Sequence, residues 1–363
     1  MNTNTLKPNS TIGIIGGGQL GRMLAMAAAQ LGFKTIILEP DPNAPAAQVA
    51  NDQIMAAYDD EIALESLSQQ CDVITYEFEN VPASAVEMLE DVSKVYPGSK
   101  ALKISQDRLL EKENAVAIGA TPAKFFKVNT IDDLRSGLKE IGYPAILKTR
   151  RMGYDGKGQM RIDSDNDVIE AFGAMNGQDA ILEAFISFSC EVSVIAARSQ
   201  DGTFSSFDIA ENVHKNHILD TSTIPAKIHD NVAIKATEIA KKIADNLDYV
   251  GVFAVEFFVE DAKTANFSLY VNEIAPRVHN SGHWTEAACA VSQFEQHIRA
   301  ISGLTLGDPS RHSDCIMRNL IGDDVNDLPA LCEKSNAKIH LYGKLEARAG
   351  RKMGHVTYIT PKS

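Results

Sequence analysis

Two acids stand where acids are seldom found. Glu256 lies inside the apolar run FAVEFF (Phe253–Phe258), and Asn272-Glu273 lie inside LYVNEIA (Leu269–Ala275). Desolvating an unpaired carboxylate costs several kcal/mol, so an acid in mid-strand needs a cation or a dedicated partner. If the two runs are neighbouring strands, two carboxylates and an amide oxygen converge. That hard oxygen set suits Mg2+, which keeps some of its waters and takes other ligands from nucleotide phosphates. A strand face turned to water is the competing reading.

Other residues extend the same chemistry. Lys148 ends the strand-like PAILK, and GYDGKGQ (Gly153–Gln159) follows. A loop with three glycines and Lys157 can fold over polyphosphate, its amides and ammonium meeting the oxygens. It lacks the Walker A spacing, and a surface hairpin would look similar. Glu183 closes the apolar AILEAFI, and Glu191 opens the next strand. Either acid can accept from a ribose or an adenine amine, or simply be a solvated strand end. In PRVHNSGHWT (Pro276–Thr285), Arg277 can hold a small anion bidentately. His279 and His283 have i, i+4 spacing, but Asn280, Ser281 and Gly282 are poor helix formers, so a loop lining a substrate pocket is expected there rather than zinc. Arg348–His355, RAGRKMGH, sets three cations within five residues. It reads as a solvated basic loop or as a phosphate clamp formed by Arg351 and Lys352.

The start of the chain offers a second anion site. Ile12–Met23 is IGIIGGGQLGRM, and Gly16, Gly18 and Gly21 satisfy G-x-G-x-x-G between a strand and a helix. Such glycines let backbone amides approach an anion at the positive helix end. Glu39 follows about 20 residues on, where a dinucleotide fold keeps its ribose-binding acid. An NAD(P)-dependent dehydrogenase, a mononucleotide site and mere strand-on-helix packing all fit these residues.

The elements that must position these groups follow from periodicity. Strands at Thr11–Ile15, Thr35–Leu38 and Cys71–Tyr76 alternate with helices at Gln19–Leu31 and Val81–Leu89, the latter opened by Pro82. This alternation builds a parallel sheet. A polar stretch, Lys100–Glu113, leads into strands at Pro144–Lys148, Ala180–Glu183, Glu191–Ala196, Val250–Val259 and Phe267–Glu273, with a helix at Asn231–Leu247. Short strands close the chain. The expected class is α/β and α+β: a Rossmann-like domain over 1–105, a central domain over 106–305 and a small β-rich domain over 306–363.

Composition bounds the rest. The 363 residues include 35 Lys and Arg against 48 Asp and Glu, a net charge of −13. With a pI near 5.2, no nucleic-acid partner is expected, and anionic substrates need local basic clusters. Five scattered cysteines give no disulfide framework or zinc site, the first ten residues carry no apolar signal core, and no run is long enough to span a membrane. A cytoplasmic protein is expected.

Together, Lys148, GYDGKGQ, Glu183, Glu191 and the Glu256/Asn272-Glu273 set resemble the ATP-grasp ligases. With GIIGGGQLGRM, YEFENV (Tyr76–Val81), NEIAPRVHNSGHWT and GRKMGH in order from about residue 11 to about 358, the chain is similar to the 5-(carboxyamino)imidazole ribonucleotide synthase family of that superfamily. The resemblance implies ATP-dependent carboxylation of 5-aminoimidazole ribonucleotide by bicarbonate through carboxyphosphate, in purine biosynthesis, by a homodimer. It implies one or two Mg2+ ions on Glu256 and Glu273, with Mn2+ able to substitute. Arg108, Lys148, Gly153, Tyr154, Asp155, Gly156, Lys157, Gly158 and Gln159 would contact the ATP phosphates. Glu183, Ala184, Phe185 and Ile186 would flank adenine, with Glu191 at the ribose, His214 near the nucleotide and Asn272-Glu273 beside the metal. Gly18, Gln19, Leu20 and Glu77 would meet the acceptor nucleotide, and Tyr154, Asp155, Arg277, Asn280, Arg351 and Lys352 would complete its pocket. Lys148, Asp155 and Arg277 would act on the reacting groups. Another ATP-grasp ligase with a different acceptor, or a nucleotide sensor, would share the central motifs.

Overall fold

The computed structural model describes residues 5–153 and 157–363. The first hundred residues form a four-stranded, all-parallel sheet. Its strands are β1 (Thr11–Ile15), β2 (Lys34–Leu38), β3 (Asp52–Ile54) and β4 (Val73–Tyr76), in the order β3-β2-β1-β4. Ile12, Ile14 and Ile15 are fully buried because helices cover the sheet. The three-residue edge strand β3 is polar and half exposed, so no apolar run announces it. The helix expected from Val81 starts at Ala83. Pro82 is its N-cap, and Val81 is a buried anchor ahead of it.

A small antiparallel sheet follows: β5 (Phe125–Val128), β6 (Ala145–Thr149), β7 (Gln159–Ile162) and β8 (Ala180–Ala184), in the order β5-β8-β6-β7. It packs against the helix Ile131–Ile141, whose start is fixed by a capping box between Thr130 and Asp133. Next come β9 (Cys190–Arg198), β10 (Phe204–Ser206), β11 (Ala210–Lys215), β12 (Ile218–Ile224), β13 (Gly251–Glu260), β14 (Ser268–Ala275), β15 (Ser313–Ile321), β16 (Ala337–Leu341) and β17 (Lys352–Pro361). They form one nine-stranded antiparallel sheet, ordered β14-β13-β9-β11-β12-β15-β17-β16, with β10 on β9. The closing strands are therefore not all short, since β15 has nine residues and β17 ten. They also continue the central sheet, because β12 pairs directly with β15.

The parallel sheet docks onto this large sheet through helix on helix. Met23 and Leu24 of the helix Gln19–Gln30 share one core with Phe294 and Ile298 of the helix Gln293–Ile301 and with Val252 of β13. The stretch Lys100–Glu113 is not a simple connector. It holds the helix Ser99–Ser105 and the first turns of the helix Arg108–Ala117, where Glu111 and Lys112 are buried.

Candidate active site

The two acids meet. Glu256 on β13 is the direct cross-strand partner of Glu273 on β14, so both carboxylates leave the same face of the sheet. The register slips just beyond, where Phe257 pairs with Val271 and Asn272 is the extra residue. Neighbours on a regular strand face opposite sides; this bulge lets both Asn272 and Glu273 line one cavity. Burial, and then the charge of Glu273, push the Glu256 carboxyl up to about 8. The nearest cationic candidate to Glu256, His279 Nε2, is 3.7 Å away and is itself held well below its ordinary pKa by burial. His214 and Arg277 lower Glu256 only in part and do not offset its burial and Glu273; two facing carboxylates held this way fit a divalent cation.

The helix Arg108–Ala117 clamps this strand from behind. Glu111 accepts from the Ile274 amide (2.6 Å), and Lys112 donates to the Asn272 carbonyl (2.8 Å), so the backbone is pinned on both sides of Glu273. Lys112 also lies 3.6 Å from Glu183 Oε2, and Lys148 lies 2.9 Å from the same oxygen. Burial works against the charge on Glu183, but the two ammoniums outweigh it and hold this carboxyl at about 2. Burial also pulls Lys148 below its ordinary value despite Glu183. Glu183 is thus no solvated strand end: Oε2 is held by the two ammoniums, while Oε1 is buried without a partner. It is the anchor that aims Lys148.

A cavity of about 310 Å³ gathers Arg108, Lys148, Gly153, Gln159, Glu191, His214, Glu256, Asn272, Glu273, Arg277, Asn280 and Lys352. Arg108 opens its helix and donates through Nη2 to the Gly153 carbonyl (3.2 Å), tying that helix to the base of the glycine loop. His214 Nδ1 and Glu191 Oε2 lie 2.8 Å apart, and this contact raises the histidine against the effect of its burial. Asn280 has both side-chain polar atoms buried without a partner. An amide held that way at a cavity wall is one a ligand can satisfy. Arg277 is already engaged: Nε and Nη2 donate to Glu79, and Nη1 to the Val278 carbonyl. Burial resists the charge on Glu79, yet Arg277 holds it at about 2. One N–H on each terminal nitrogen remains for an anion.

Other expected residues lie elsewhere. Ala184, Phe185 and Ile186 leave the end of β8 outside this cavity, and the Phe185 ring lies 4.5 Å from the Arg161 guanidinium. Gly158 accepts from the Thr149 amide (2.8 Å) at the β6–β7 hairpin, with Lys157 beside it; neither lines the cavity. Tyr154, Asp155 and Gly156 lie outside the described residues. Arg351 donates to the Glu346 carbonyl (3.0 Å) and does not reach the cavity wall, whereas Lys352 does. Lys344 joins them. Its ammonium donates to the Lys352 carbonyl, and burial, with Arg351 next, lowers it to about 8.

The first glycine loop corrects the anion-site reading. Gly18 and Gly21 donate their amides to the buried Glu77, and Gly17 donates to Glu39 (2.8 Å), whose carboxylate also takes the Asp41 amide and the Tyr58 hydroxyl. The positive helix end is thus filled by the chain's own acids, leaving no seat for a pyrophosphate. Glycine is needed for that approach: a Cβ on Gly18 would lie 2.6 Å from Glu77 Oε1. Gln19 and Leu20 open the helix behind this plug and do not line the cavity. A larger groove of about 630 Å³, beside the helix Asp230–Asn246, holds none of the expected residues.

A buried acid pair, a lysine aimed by a carboxylate and a glycine hairpin between two antiparallel sheets define an ATP-grasp ligase. Three family models match successive stretches: a ribonucleotide synthetase preATP-grasp domain over 9–106, an ATP-grasp domain over 113–294 and a phosphoribosylaminoimidazole carboxylase C-terminal domain over 315–363. The chain belongs to the N5-carboxyaminoimidazole ribonucleotide synthase family. The synthase of Brucella melitensis biotype 1 is 58% identical over 366 residues, covering 100% of both chains, and that of Bacillus subtilis (strain 168) is 43% identical, covering 99% of this chain and 94% of its own. A crystal structure of an N5-carboxyaminoimidazole ribonucleotide synthetase with ADP has a TM-score of 0.94 at 44% identity, covering 99% of this chain and 94% of the other. The Aspergillus clavatus enzyme with ADP and 5-aminoimidazole ribonucleotide has 0.90 at 33% identity, covering 98% and 94%.

Several site residues carried no signal in the sequence. Glu111 and Lys112 lie in a run that reads as polar, Glu79 lies two places from a residue singled out, and Lys344 stands alone before the basic tail. Glu256 and Glu273 inside apolar strands, Lys148 at a strand end, Arg277 and Lys352 were among the cavity residues that local pattern did single out.

Proposed function

We propose that this chain carboxylates 5-aminoimidazole ribonucleotide with bicarbonate at the expense of ATP, giving 5-(carboxyamino)imidazole ribonucleotide, ADP and phosphate in purine biosynthesis. The observation that carries the reading is the Glu256–Glu273 pair sharing one cavity with Lys148, Arg108 and Lys352, in a chain of this family. Glu256, Glu273 and Asn272 would hold Mg2+, which neutralises ATP phosphate charge when bound.

Bicarbonate is a poor acylating agent because its leaving group would be hydroxide. Transfer of the ATP γ-phosphoryl to its oxygen gives carboxyphosphate, whose leaving group is phosphate. The protein's part is positioning and charge neutralisation. Lys148, fixed by Glu183, and Arg108, fixed at the loop base, would meet the phosphate oxygens. Arg277, braced by Glu79, would hold bicarbonate with its two remaining N–H groups. Lys352, Arg351 and Lys344 would bind the acceptor's phosphate, and Asn280 would satisfy its amide on that nucleotide. Glu77 would support the acceptor wall through the glycine loop. The hairpin Gly153–Gln159 would close over the site and exclude water from carboxyphosphate, as this labile intermediate requires. The acceptor amine then takes the carbon, and Asp155 or the departing phosphate takes its proton.

We divide the labour as an acceptor lobe over 1–105, an ATP lobe over 106–305 and a C-terminal segment over 306–363. Among the described residues no helix is long and apolar enough to cross a membrane. The five described cysteines are all free thiols, which supports a cytoplasmic setting. A homodimer, implied by the family, is checked by light scattering.

ADP release is the test, with bicarbonate and 5-aminoimidazole ribonucleotide each omitted in turn. Full turnover is expected only with both present. Release that ignores the aminoimidazole would assign a different acceptor, and binding of ATP without turnover would leave a sensor.

A further inference from the structure

We propose that Glu286, His340 and His355 form a binding site for a divalent transition metal of the zinc class, separate from the Glu256–Glu273 pair. Among the described residues, no other group of three or more His, Cys, Asp or Glu side chains brings its ligand atoms within 4.8 Å of one another. His340 on β16 and His355 on β17 are direct cross-strand partners, so both imidazoles stand on the same face of the sheet, with ring centres 5.3 Å apart. The short helix Thr285–Ala288 lowers Glu286 onto them. Its Oε2 is 3.0 Å from His340 Nδ1 and 3.5 Å from His355 Nε2.

Those separations match a coordination polyhedron. Zinc bonds of about 2.0–2.2 Å at tetrahedral angles place ligand atoms roughly 3.3–3.5 Å apart. Two edges, 3.0 and 3.5 Å, are close to that now, and the third lies within 4.8 Å. Tyr342 Oη lies 3.0 Å from His355 Nδ1 and fixes that ring, leaving Nε2 to face the other two ligands. Metal-bound histidines are held in this way by an outer partner on the second nitrogen. The set is also reachable, because Glu286 and His340 border a cavity of about 510 Å³ that leaves a fourth position for water. Two imidazoles and one carboxylate favour zinc-like ions over Mg2+, which prefers oxygen.

The site would act as a brace. Glu286 follows the loop that carries His279 and Asn280, and His355 is three residues beyond Lys352. One ion would therefore tie the loop to the C-terminal strands that face it across the cavity. The binding itself does not depend on which reaction the enzyme performs.

The full-length protein, stripped with a chelator and dialysed, is titrated with Co2+ as a spectroscopic stand-in for Zn2+. One equivalent per chain should develop the intense visible absorption of four-coordinate Co2+, persist in excess Mg2+, be lost on adding one equivalent of Zn2+, and survive in Glu273→Gln. His340→Ala and the gentler Glu286→Gln should each abolish it while circular dichroism stays unchanged. Only the weak absorption of six-coordinate Co2+ in the wild-type protein would overturn the proposal, as would a full-strength band in a folded Glu286→Gln variant.

Discussion

Replacing Glu273 by Gln removes one negative charge from a buried facing pair while nearly keeping its shape. ADP release should fall to background in a coupled assay, with unchanged circular dichroism; normal turnover would end the metal-holding role. Lys352→Ala should raise KM for the acceptor nucleotide roughly ten- to a hundredfold, the worth of a charge-assisted hydrogen bond of about 1.5–3 kcal/mol. KM for ATP should barely move, and a change confined to ATP would misplace the tail. At this scale legibility followed desolvation cost. Glu256 and Glu273 were readable because apolar flanks leave an acid few other reasons to be there. Asn272 beside Glu273 was readable by type, but the bulge that turns both to one side is a property of strand pairing that no local pattern encodes. Glu77 and Glu39 show the opposite error. A glycine spacing that signals an approaching anion does not say that the anion is the protein's own carboxylate.

The helix Arg108–Ala117 is the element on which the acid pair depends. Lys112→Met strands Glu183 next to Lys148 alone and leaves the Asn272 carbonyl without its donor. Breaking a buried pair in this way costs about 3–5 kcal/mol, read from equilibrium unfolding in urea. Glu111 behaves differently. Burial, with Glu273 also raising it against Lys112, pushes its carboxyl to about 8, so at pH 7 it is mostly neutral. Glu111→Gln keeps an oxygen for the Ile274 amide and should change stability by under about 1 kcal/mol. A loss as large as that of Lys112→Met would show that Glu111 works as a charge. Neither residue was legible, because two adjacent buried charges inside a hydrophilic run look like a linker until the strand they clamp is in place. Strands and helices with clean periodicity, such as β1 and the helix Asp230–Asn246, were found to within a residue or two.

At the scale of the molecule, His297 joins the two sheets. Its Nδ1 accepts from the Val252 amide (3.1 Å) in the large sheet, and its Nε2 lies 2.8 Å from Thr75 Oγ1 in the parallel one. Burial lowers its pKa from 6.5 to about 3. The unfolded chain therefore binds a proton that the folded chain refuses between those values, and stability falls as pH drops from 6.5 towards 3. Each such proton contributes about 1.4 kcal/mol per pH unit. His279 and His283, also lowered by burial, steepen the slope. Glu111 and Glu256, raised by burial, take up protons in the folded chain and pull the other way, so the readout is a difference. From pH 7 to 5 the wild type should lose stability relative to His297→Gln by up to one proton's worth in urea unfolding, and parallel pH curves for the two would show that this histidine does not titrate between the folded and unfolded states.

The pairing of β12 with β15 has a consequence for biogenesis. Synthesis runs from the N-terminus, so β12 leaves the ribosome well before β15, and β17 and β16 reach their places later still. Until then the nascent protein exposes a raw backbone margin that any neighbouring chain could stitch onto. A chain stopped before β15 would leave the margin of β12 unpaired, an open edge of the kind that templates aggregation.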